Sequence, residues 1–325
     1  MPMSKTIREV KAMQVVPKGR RAASPKKKDG FRLFLMVLPC LVFLFVFSYL
    51  PLWGWSFAFF NYKPGRALMD CEFVGWAHFT RLFGNPVMRR QLLMVMRNTL
   101  AMAGLGILCS PITPAFAIFM SEISSKKYQK VVQTLTTLPH FISWTIMYSL
   151  VFFMLNVNNG FVNNLLVSLG VLEKPVNFLV SQKHVWLTMQ GYGMWKGLGW
   201  GAIVYLAAIS GIDQELYEAA MIDGAGRMQR ILHITVPGLI ETYFVLLIMS
   251  FGNFLNTGME QYYVFQNAMN QDYIQVLDLY VYNQGIKGGQ ISYATAIGTM
   301  KSFVALVLFA FANTLSKRVR GTSVF

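Results

Sequence analysis

Six long apolar segments constrain what this chain of 325 residues can fold into. A helix needs about twenty apolar residues to cross the hydrocarbon core of a bilayer, and only helices and closed barrels satisfy their backbone groups there. The segments cover Leu33–Phe57, Leu93–Met120, Val131–Leu155, Val185–Ser210, Pro237–Leu255 and Tyr293–Leu315. The sequence therefore predicts an all-α membrane protein with six transmembrane helices.

Composition supports a membrane protein and separates two basic tails from an apolar middle part. Hydrophobic residues make up 54% of it and charged residues only 13%, which is too apolar for a soluble domain. The formal charge of +15 would suit nucleic acid, but the basic residues crowd the two ends, where membrane topology needs them. We predict a basic, at least partly disordered cytoplasmic tail over residues 1–32, a transmembrane domain over residues 33–316 and a basic cytoplasmic tail over residues 317–325.

The distribution of lysine and arginine predicts the orientation. Cytoplasmic loops carry an excess of these residues, and an even number of spans places both termini on one side. Besides the tails, that side receives Lys126, Lys127, Lys130, Arg227 and Arg230. We expect both termini, and the polar loop of residues 211–238, to be cytoplasmic.

This loop has a helical pattern with clear signals for its ends. Carboxylates crowd its N-terminal part, where they favour the positive end of a helix dipole. Gly224 and Gly226 accept positive φ angles and are predicted to break the helix, and Pro237 suits the first turn of the next helix. The pattern predicts a helix–turn–helix between two spans, and on pattern alone an ordinary amphipathic connector remains an equal alternative.

A known motif lies in the same loop. Glu218-Ala219-Ala220, Asp223-Gly224-Ala225 and Val236-Pro237 stand in the order and spacing of the EAA loop, and the chain resembles the permeases of binding-protein-dependent type I ABC importers. The family usually ends the motif with Leu-Pro, so Val236 is a small departure. Other stretches resemble its oligosaccharide branch, most of all alginate (polyuronate) importers, and extend the likeness from Tyr49 to the last span. They are Tyr49–Tyr62, Phe73-Val74-Gly75, Asn98-Thr99-Leu100, Gln133–Trp144, Trp195–Arg230 and Tyr280–Phe303.

The resemblance implies a fold, partners and a mechanism. It implies the type I permease fold in a bacterial inner (plasma) membrane, with a coupling helix in the loop that docks into a cleft of a separate ATPase. The partners would be a second permease subunit, two ATPase subunits and an extracytoplasmic solute-binding protein. A heterodimer of permeases is the expected state, and a homodimer stays open. The residues expected to couple to the ATPase are Glu218, Ala219, Ala220, Asp223, Gly224 and Pro237.

Charged and aromatic residues inside the spans predict a substrate pathway. A charge in the membrane is costly and usually faces a cavity or a partner. Lys196 lies in the fourth segment between Trp195 and Trp200, and a cationic, aromatic-lined cavity would suit an anionic sugar; Tyr192 and Asn253 complete the predicted pathway. Lys301 and Glu241 have a simpler explanation, namely snorkelling or a Lys–Glu pair.

The sequence predicts neither enzymatic activity nor a cofactor in this chain. It lacks the G-x-x-x-x-G-K-[ST] phosphate cradle, so ATP and magnesium would be bound by the partner ATPase. A series of glycines between Gly191 and Gly201 predicts close helix packing instead. The histidines and three cysteines have no metal-binding spacing. An ion-coupled secondary transporter is the main alternative, although midplane acids and inverted repeats are not seen. A membrane enzyme acting on polysaccharide would need paired carboxylates on an aqueous face.

Overall fold

The computed structural model describes residues 27–180, 182 and 184–320, and all regular secondary structure in these ranges is helical. One antiparallel bridge joins Phe60 and Phe73. The chain divides into two compact units, of which the first ends at Gly54 and the second begins at Trp55. Most of the predicted N-terminal tail, residues 1–26, and residues 321–325 of the C-terminal tail lie outside the described residues.

The first unit is built on one helix. Helix α1 (Lys27–Leu44) contains Pro39 and continues into a π-helical turn, Phe45–Tyr49. Its start at Lys27 means that the last residues of the predicted basic tail are helical. A 3₁₀ segment, Leu50–Phe59, then follows at Pro51, a residue that cannot donate the backbone hydrogen bond of a continuing α-helix.

The second unit contains long helices separated by short ones. Several begin at side chains that cap free N–H groups: Asn85 accepts from Val87 and Met88 before the first long helix. Its helices are α2 (Ala77–Gly84), α3 (Pro86–Cys109), α4 (Ile112–Ser121), α5 (Lys126–Thr137), α6 (Trp144–Leu155), α7 (Phe161–Ser168), α8 (Val185–Ser210), α9 (Gln214–Ile222), α10 (Arg227–Arg230), α11 (Val236–Gly252), α12 (Glu260–Phe265), α13 (Gln271–Ile274), α14 (Leu277–Tyr282) and α15 (Ile291–Arg320).

Four helical stretches of the described chain are long and apolar enough to cross a membrane, and a bent pair makes a fifth. They are Gly30–Phe59, Pro86–Ser121, Arg227–Gly252, Ile291–Thr314 and the pair Lys126–Phe141 with Trp144–Leu155. The fourth predicted span forms helix α8 with the predicted bounds, Val185–Ser210, but it is not among these stretches. Its glycines and Lys196 lower its hydropathy.

The third predicted span is not one straight helix. The chain bends by 106° between Lys126–Phe141, which contains α5, and α6. Between them, Leu138–Phe141 form a 3₁₀ turn around Pro139, after which Ile142 is extended and Ser143 caps α6. The proline contributes to the break, because it has no N–H group to continue the α-helical hydrogen bonds of α5.

Close packing on α8 holds the bend in place. A Cβ added to Gly199 would lie 2.3 Å from the backbone C and O of Thr136, and one added to Gly201 would lie 3.0 Å from the methyl of Thr113. Only glycine permits such approaches. The predicted packing role of the glycine series is confirmed at these two positions.

Candidate functional site

The loop between α8 and α11 is a helical hairpin with a tight turn. Asp213 caps α9 by accepting from the N–H of Glu215 at 3.0 Å. At the other end Gly224 has a φ of 76°, its N–H donates to Met221 O at 3.1 Å, and the N–H of Ala225 donates to Ala220 O at 2.8 Å. These two bonds form a Schellman motif, which satisfies the last carbonyls of the helix and fixes the turn.

Three contacts brace the hairpin against the long helices. The hydroxyl groups of Tyr217 and Thr235 lie 2.9 Å apart, and Thr235 is buried. Ile212 packs so closely on Gly238 that an added Cβ would lie 2.6 Å from its terminal methyl. Arg227 pairs with Glu122 after α4, with 3.6 Å between Nε and Oε2. The sequence did not indicate the tyrosine–threonine contact, because these side chains lie 18 residues apart.

The outer surface of the hairpin is open to a partner. Glu218, Ala219, Asp223, Gly224 and Pro237 are exposed, whereas Ala220 is half-buried and its carbonyl belongs to the turn. Large apolar side chains are exposed beside them. These are Leu216, Met221, Ile222 and Met228, with Ile222 87% exposed. An exposed apolar patch beside polar residues is typical of a protein–protein contact.

Lys196 is placed at the bend between α5 and α6. Its Nζ donates to Pro139 O at 3.3 Å, to His140 O at 2.6 Å and to Ile142 O at 2.6 Å, and lies 5.5 Å from the centre of the Trp144 ring. An ammonium group has three donors, so these carbonyls account for all of them. The contact with an anionic sugar that the sequence predicts for Lys196 stays a prediction.

The predicted aromatic residues have different surroundings. Trp200 stacks on His140 at the bend, with 4.6 Å between ring centroids, and Tyr192 stacks on Phe265 at 5.0 Å. The side chain of Trp195 is 47% exposed. Trp200 and Lys196 therefore meet at the bend, while Tyr192 belongs to a separate apolar cluster.

Asn253 lines a separate polar cavity of about 510 Å³, hereafter the central cavity. None of Tyr192, Trp195, Lys196 and Trp200 is among its described lining residues. Apart from Asn253, this polar lining was not indicated by the sequence, because it comes from the end of α3, from α8 and α11, from the turn after α11 and from α12. These polar residues are Ser110, Gln190, Ser250, Asn253, Asn256, Thr257, Gln261 and Tyr262.

A partly buried ion pair supports one wall of the central cavity. Asp278 pairs with Lys301, and the other oxygen of the carboxylate accepts from the N–H of Gly258 at 3.1 Å. Gly258 has a φ of 79° and directly follows Thr257 of the wall. Burial, and then the charge of Asp278, raise the pKa of Tyr262 to about 12. The expected pairing of Lys301 with a glutamate is wrong: its carboxylate partner is an aspartate outside the predicted spans.

Metal chemistry has no evident site here. Among residues 27–180, 182 and 184–320 there is no group of three or more histidine, cysteine, aspartate or glutamate side chains that could hold a metal ion. Functional geometry is found at the hairpin, at the bend at Lys196 and at the central cavity.

Comparison with known proteins agrees with this arrangement. Residues 102–321 match the family model of binding-protein-dependent transport system inner membrane components. The polygalacturonan/rhamnogalacturonan transport system permease protein YteP of Bacillus subtilis (strain 168) is 39% identical over 287 residues, which are 88% of each chain. Protein LplB of the same organism is 38% identical over 325 residues, covering 96% of this chain and 100% of LplB.

The fold is also similar to that of a solved transporter. The likeness is to a chain in the crystal structure of a bacterial alginate ABC transporter in complex with alginate pentasaccharide-bound periplasmic protein. The TM-score is 0.81 at 36% sequence identity, and the match covers 91% of this chain and 98% of that chain.

Proposed function

Because this chain belongs to the family of binding-protein-dependent transport system inner membrane components, we propose that it is the permease subunit of an ATP-driven importer of acidic oligosaccharides. Membership gives it the type I permease fold, and its apolar helices make it a multi-pass protein of the inner membrane. The observation that carries the proposal is the likeness, over most of the chain, to permeases named for polygalacturonan and alginate transport. Both polymers consist of sugar acids, so alginate-like oligosaccharides are the proposed substrates.

We infer a topology of six crossings with both termini in the cytoplasm. The four long stretches and the bent pair supply five crossings, and α8 supplies the sixth because it has 26 residues, about 39 Å of helix. Gly199 packs against the neighbouring bend and Gly201 against α4, so the lower hydropathy of α8 is compatible with a place inside the bundle. This topology places the hairpin in the cytoplasm.

The hairpin is proposed to be the coupling element. Helix α9 would dock into a cleft of a separate ATPase subunit that binds ATP and magnesium, with Glu218 offering its carboxylate and Ala219 allowing close approach. Helix α9 would keep a constant angle to the spans because of two fixed turns. These are the turn at Asp223 and Gly224 and the first turn of α11 at Pro237. Supporting this, the hairpin is closed by a Schellman turn and braced at both ends.

The central cavity is proposed to be this chain's part of the sugar pathway. Amide and hydroxyl groups such as those of Asn253 both donate and accept hydrogen bonds, which suits sugar hydroxyls. The pathway roles of Tyr192, Trp195, Lys196 and Trp200 stay predictions from the sequence, because none of these residues is among the described lining of this cavity. One permease cannot enclose a pathway, so we propose a second permease subunit, two ATPase subunits and an extracytoplasmic binding protein as partners.

The test is ATP-dependent uptake by the full complex in lipid vesicles, with the binding protein and a uronate oligosaccharide supplied outside. Glu218→Ala is expected to lower uptake about tenfold or more, the effect of losing about 1.4 kcal/mol at a central contact. Glu173→Ala, which removes an exposed carboxylate from the loop between α7 and α8, is the matched control and should leave uptake unchanged. Uptake that needs an ion gradient and no ATP would instead establish the secondary transporter.

A further inference from the structure

The central cavity offers an acid no positively charged partner among its described lining residues. Its described lining residues carry no charged side chain. The nearest candidate from the sequence, Lys196, donates to three backbone carbonyls at the bend. A carboxylate entering the central cavity would lose water and gain no ion pair, which is costly. If this chain distinguishes acidic from neutral sugars, it does so elsewhere.

A second and larger cavity does carry positive charge. It encloses about 840 Å³ between the N-terminal half of α3 and the segment from α13 to the residues after α14, and is called here the outer cavity. Arg90 and Arg97 line it from α3. Amide side chains surround them, from Gln91, Gln271, Gln275, Asn283 and Gln284. The volume is within the range of about 300–1,000 Å³ that small-molecule sites occupy.

The outer cavity lies at the end of the second unit opposite to the hairpin. Its helix α3 begins the span Pro86–Ser121, and the residue after the far end of this span, Glu122, pairs with Arg227 of the hairpin. With the hairpin in the cytoplasm, the outer cavity is on the extracytoplasmic side, where substrate arrives.

Arg97 is held in position at this site. Its Nη2 donates to Asp272 O at 2.9 Å and, with Nε, to Asn98 Oδ1 at 3.2 and 3.3 Å. Its guanidinium lies 5.1 Å from the ring centre of Tyr273 and 5.7 Å from that of Trp186. These contacts use Nε and Nη2, so among the described residues the donors of Nη1 remain for a ligand.

Asn283 provides a second, independent indication. Its Oδ1 is buried and has no hydrogen-bond partner among the described residues. An amide oxygen only accepts hydrogen bonds, and leaving it unpaired costs about 1–3 kcal/mol. A small rotation of the side chain would turn this oxygen toward the cavity that Asn283 lines, where a sugar hydroxyl could donate to it.

We propose that the outer cavity is a subsite for acidic oligosaccharides, in which Arg90 and Arg97 pair with sugar carboxylates while Asn283 accepts from a sugar hydroxyl. This inference rests on the proposed function. The carboxylate of Asp272 also belongs to the lining, so the charged side chains leave a net charge of +1. Binding is therefore weak, as suits a subsite that passes its ligand on.

The experiment uses the full complex in vesicles of neutral lipid, with initial rates of ATP-dependent uptake measured for a uronate trisaccharide and a neutral trisaccharide. Arg90→Gln is expected to raise the KM for the acidic sugar about two- to fivefold, the size of an exposed ion pair, with kcat and the values for the neutral sugar unchanged. Arg89→Gln removes the same charge from the neighbouring exposed residue outside the cavity, and should change neither sugar. Arg90→Glu should enlarge the effect.

Other outcomes overturn the proposal in distinguishable ways. Equal increases in KM for Arg90→Gln and Arg89→Gln would show that the surface charge attracts the sugar without a specific site. Equal losses of uptake for the acidic and the neutral sugar would show that Arg90 has a structural role. An effect that is seen only in vesicles containing anionic lipid would assign the cavity to lipid headgroups. If the unaltered complex imports no oligosaccharide with ATP, both the proposed function and the subsite are refuted. If the unaltered complex imports the acidic sugar and the Arg90→Gln complex imports it with the same KM, only the subsite is refuted.

Discussion

Replacing Lys196 by methionine tests what the charge in α8 does. Methionine has a similar length but no donor, so the carbonyls of Pro139, His140 and Ile142 lose their partner. Two of the three hydrogen bonds are short, at 2.6 Å, and the third is 3.3 Å. A hydrogen bond to a charged group contributes about 1.5–3 kcal/mol. Because Lys196 is only half-buried and methionine avoids the cost of desolvating a charge, we expect a net loss of about 2–4 kcal/mol in the free energy of unfolding.

The assay compares stability with transport. Thermal unfolding of the purified complex in detergent should occur at a lower temperature for Lys196→Met. Uptake of neutral and acidic oligosaccharides should fall by the same factor, because the bend is disturbed for both. Lys174→Met removes an exposed lysine from the loop after α7 and should change neither quantity.

One result would refute this reasoning. If Lys196→Met unfolds at the same temperature as the unaltered protein but loses uptake of the acidic sugar alone, its ammonium contacts the substrate. The prediction made from the sequence would then be correct, and the three carbonyl contacts would not describe the working state of the transporter.

Two further predictions concern helix packing and the partly buried ion pair. Gly199→Ala should destabilise the protein by about 1–3 kcal/mol, because the added Cβ would clash with the backbone of Thr136. Gly197→Ala should stabilise α8 by about 0.5–1 kcal/mol, because nothing lies within 4 Å of an added Cβ there. The two variants should therefore shift the unfolding temperature in opposite directions. For the ion pair, Asp278→Asn and Lys301→Met should each lower the free energy of unfolding by about 3 kcal/mol, and the double variant should lower it by less than the sum. A double-mutant cycle of unfolding measures this difference, and additive losses would show that the two side chains are not coupled.

Features set by local residue chemistry could be predicted from the sequence. The bounds of α8 agree with the prediction because an apolar run between polar loops determines both of its ends. The turn of the hairpin was expected at Gly224 and Gly226; Gly224 has a positive φ angle, whereas Gly226 has a φ of −68° and precedes α10. Such features need only neighbours within a few residues, so a single sequence contains the necessary information.

Features that depend on distant contacts could not be predicted. Hydropathy measures how apolar a segment is and not its direction, so the 106° bend between α5 and α6 is invisible to it, although Pro139 was a local signal. The partners of Lys196 and Lys301 lie on other elements of the fold. The two cavities likewise exist only where several helices meet.

Under the proposed function, the position of the hairpin between α8 and α11 explains how a contact at the hairpin can affect a distant cavity. Both helices flank the hairpin and both line the central cavity, α8 through Gln190 and α11 through Met249 and Ser250, with Asn253 directly after α11. At 1.5 Å per residue, Asn253 is about 25 Å along the helix axis from Pro237. A displacement of the hairpin is therefore applied to the near ends of two helices whose far ends form one wall. The displacement moves the cavity wall fully only if the hairpin itself stays rigid. The Schellman turn and the contacts that brace the hairpin resist such deformation, and Gly224→Ala, which places a side chain in a conformation costing about 1–2 kcal/mol, should weaken the link between ATP hydrolysis and uptake while leaving substrate affinity unchanged.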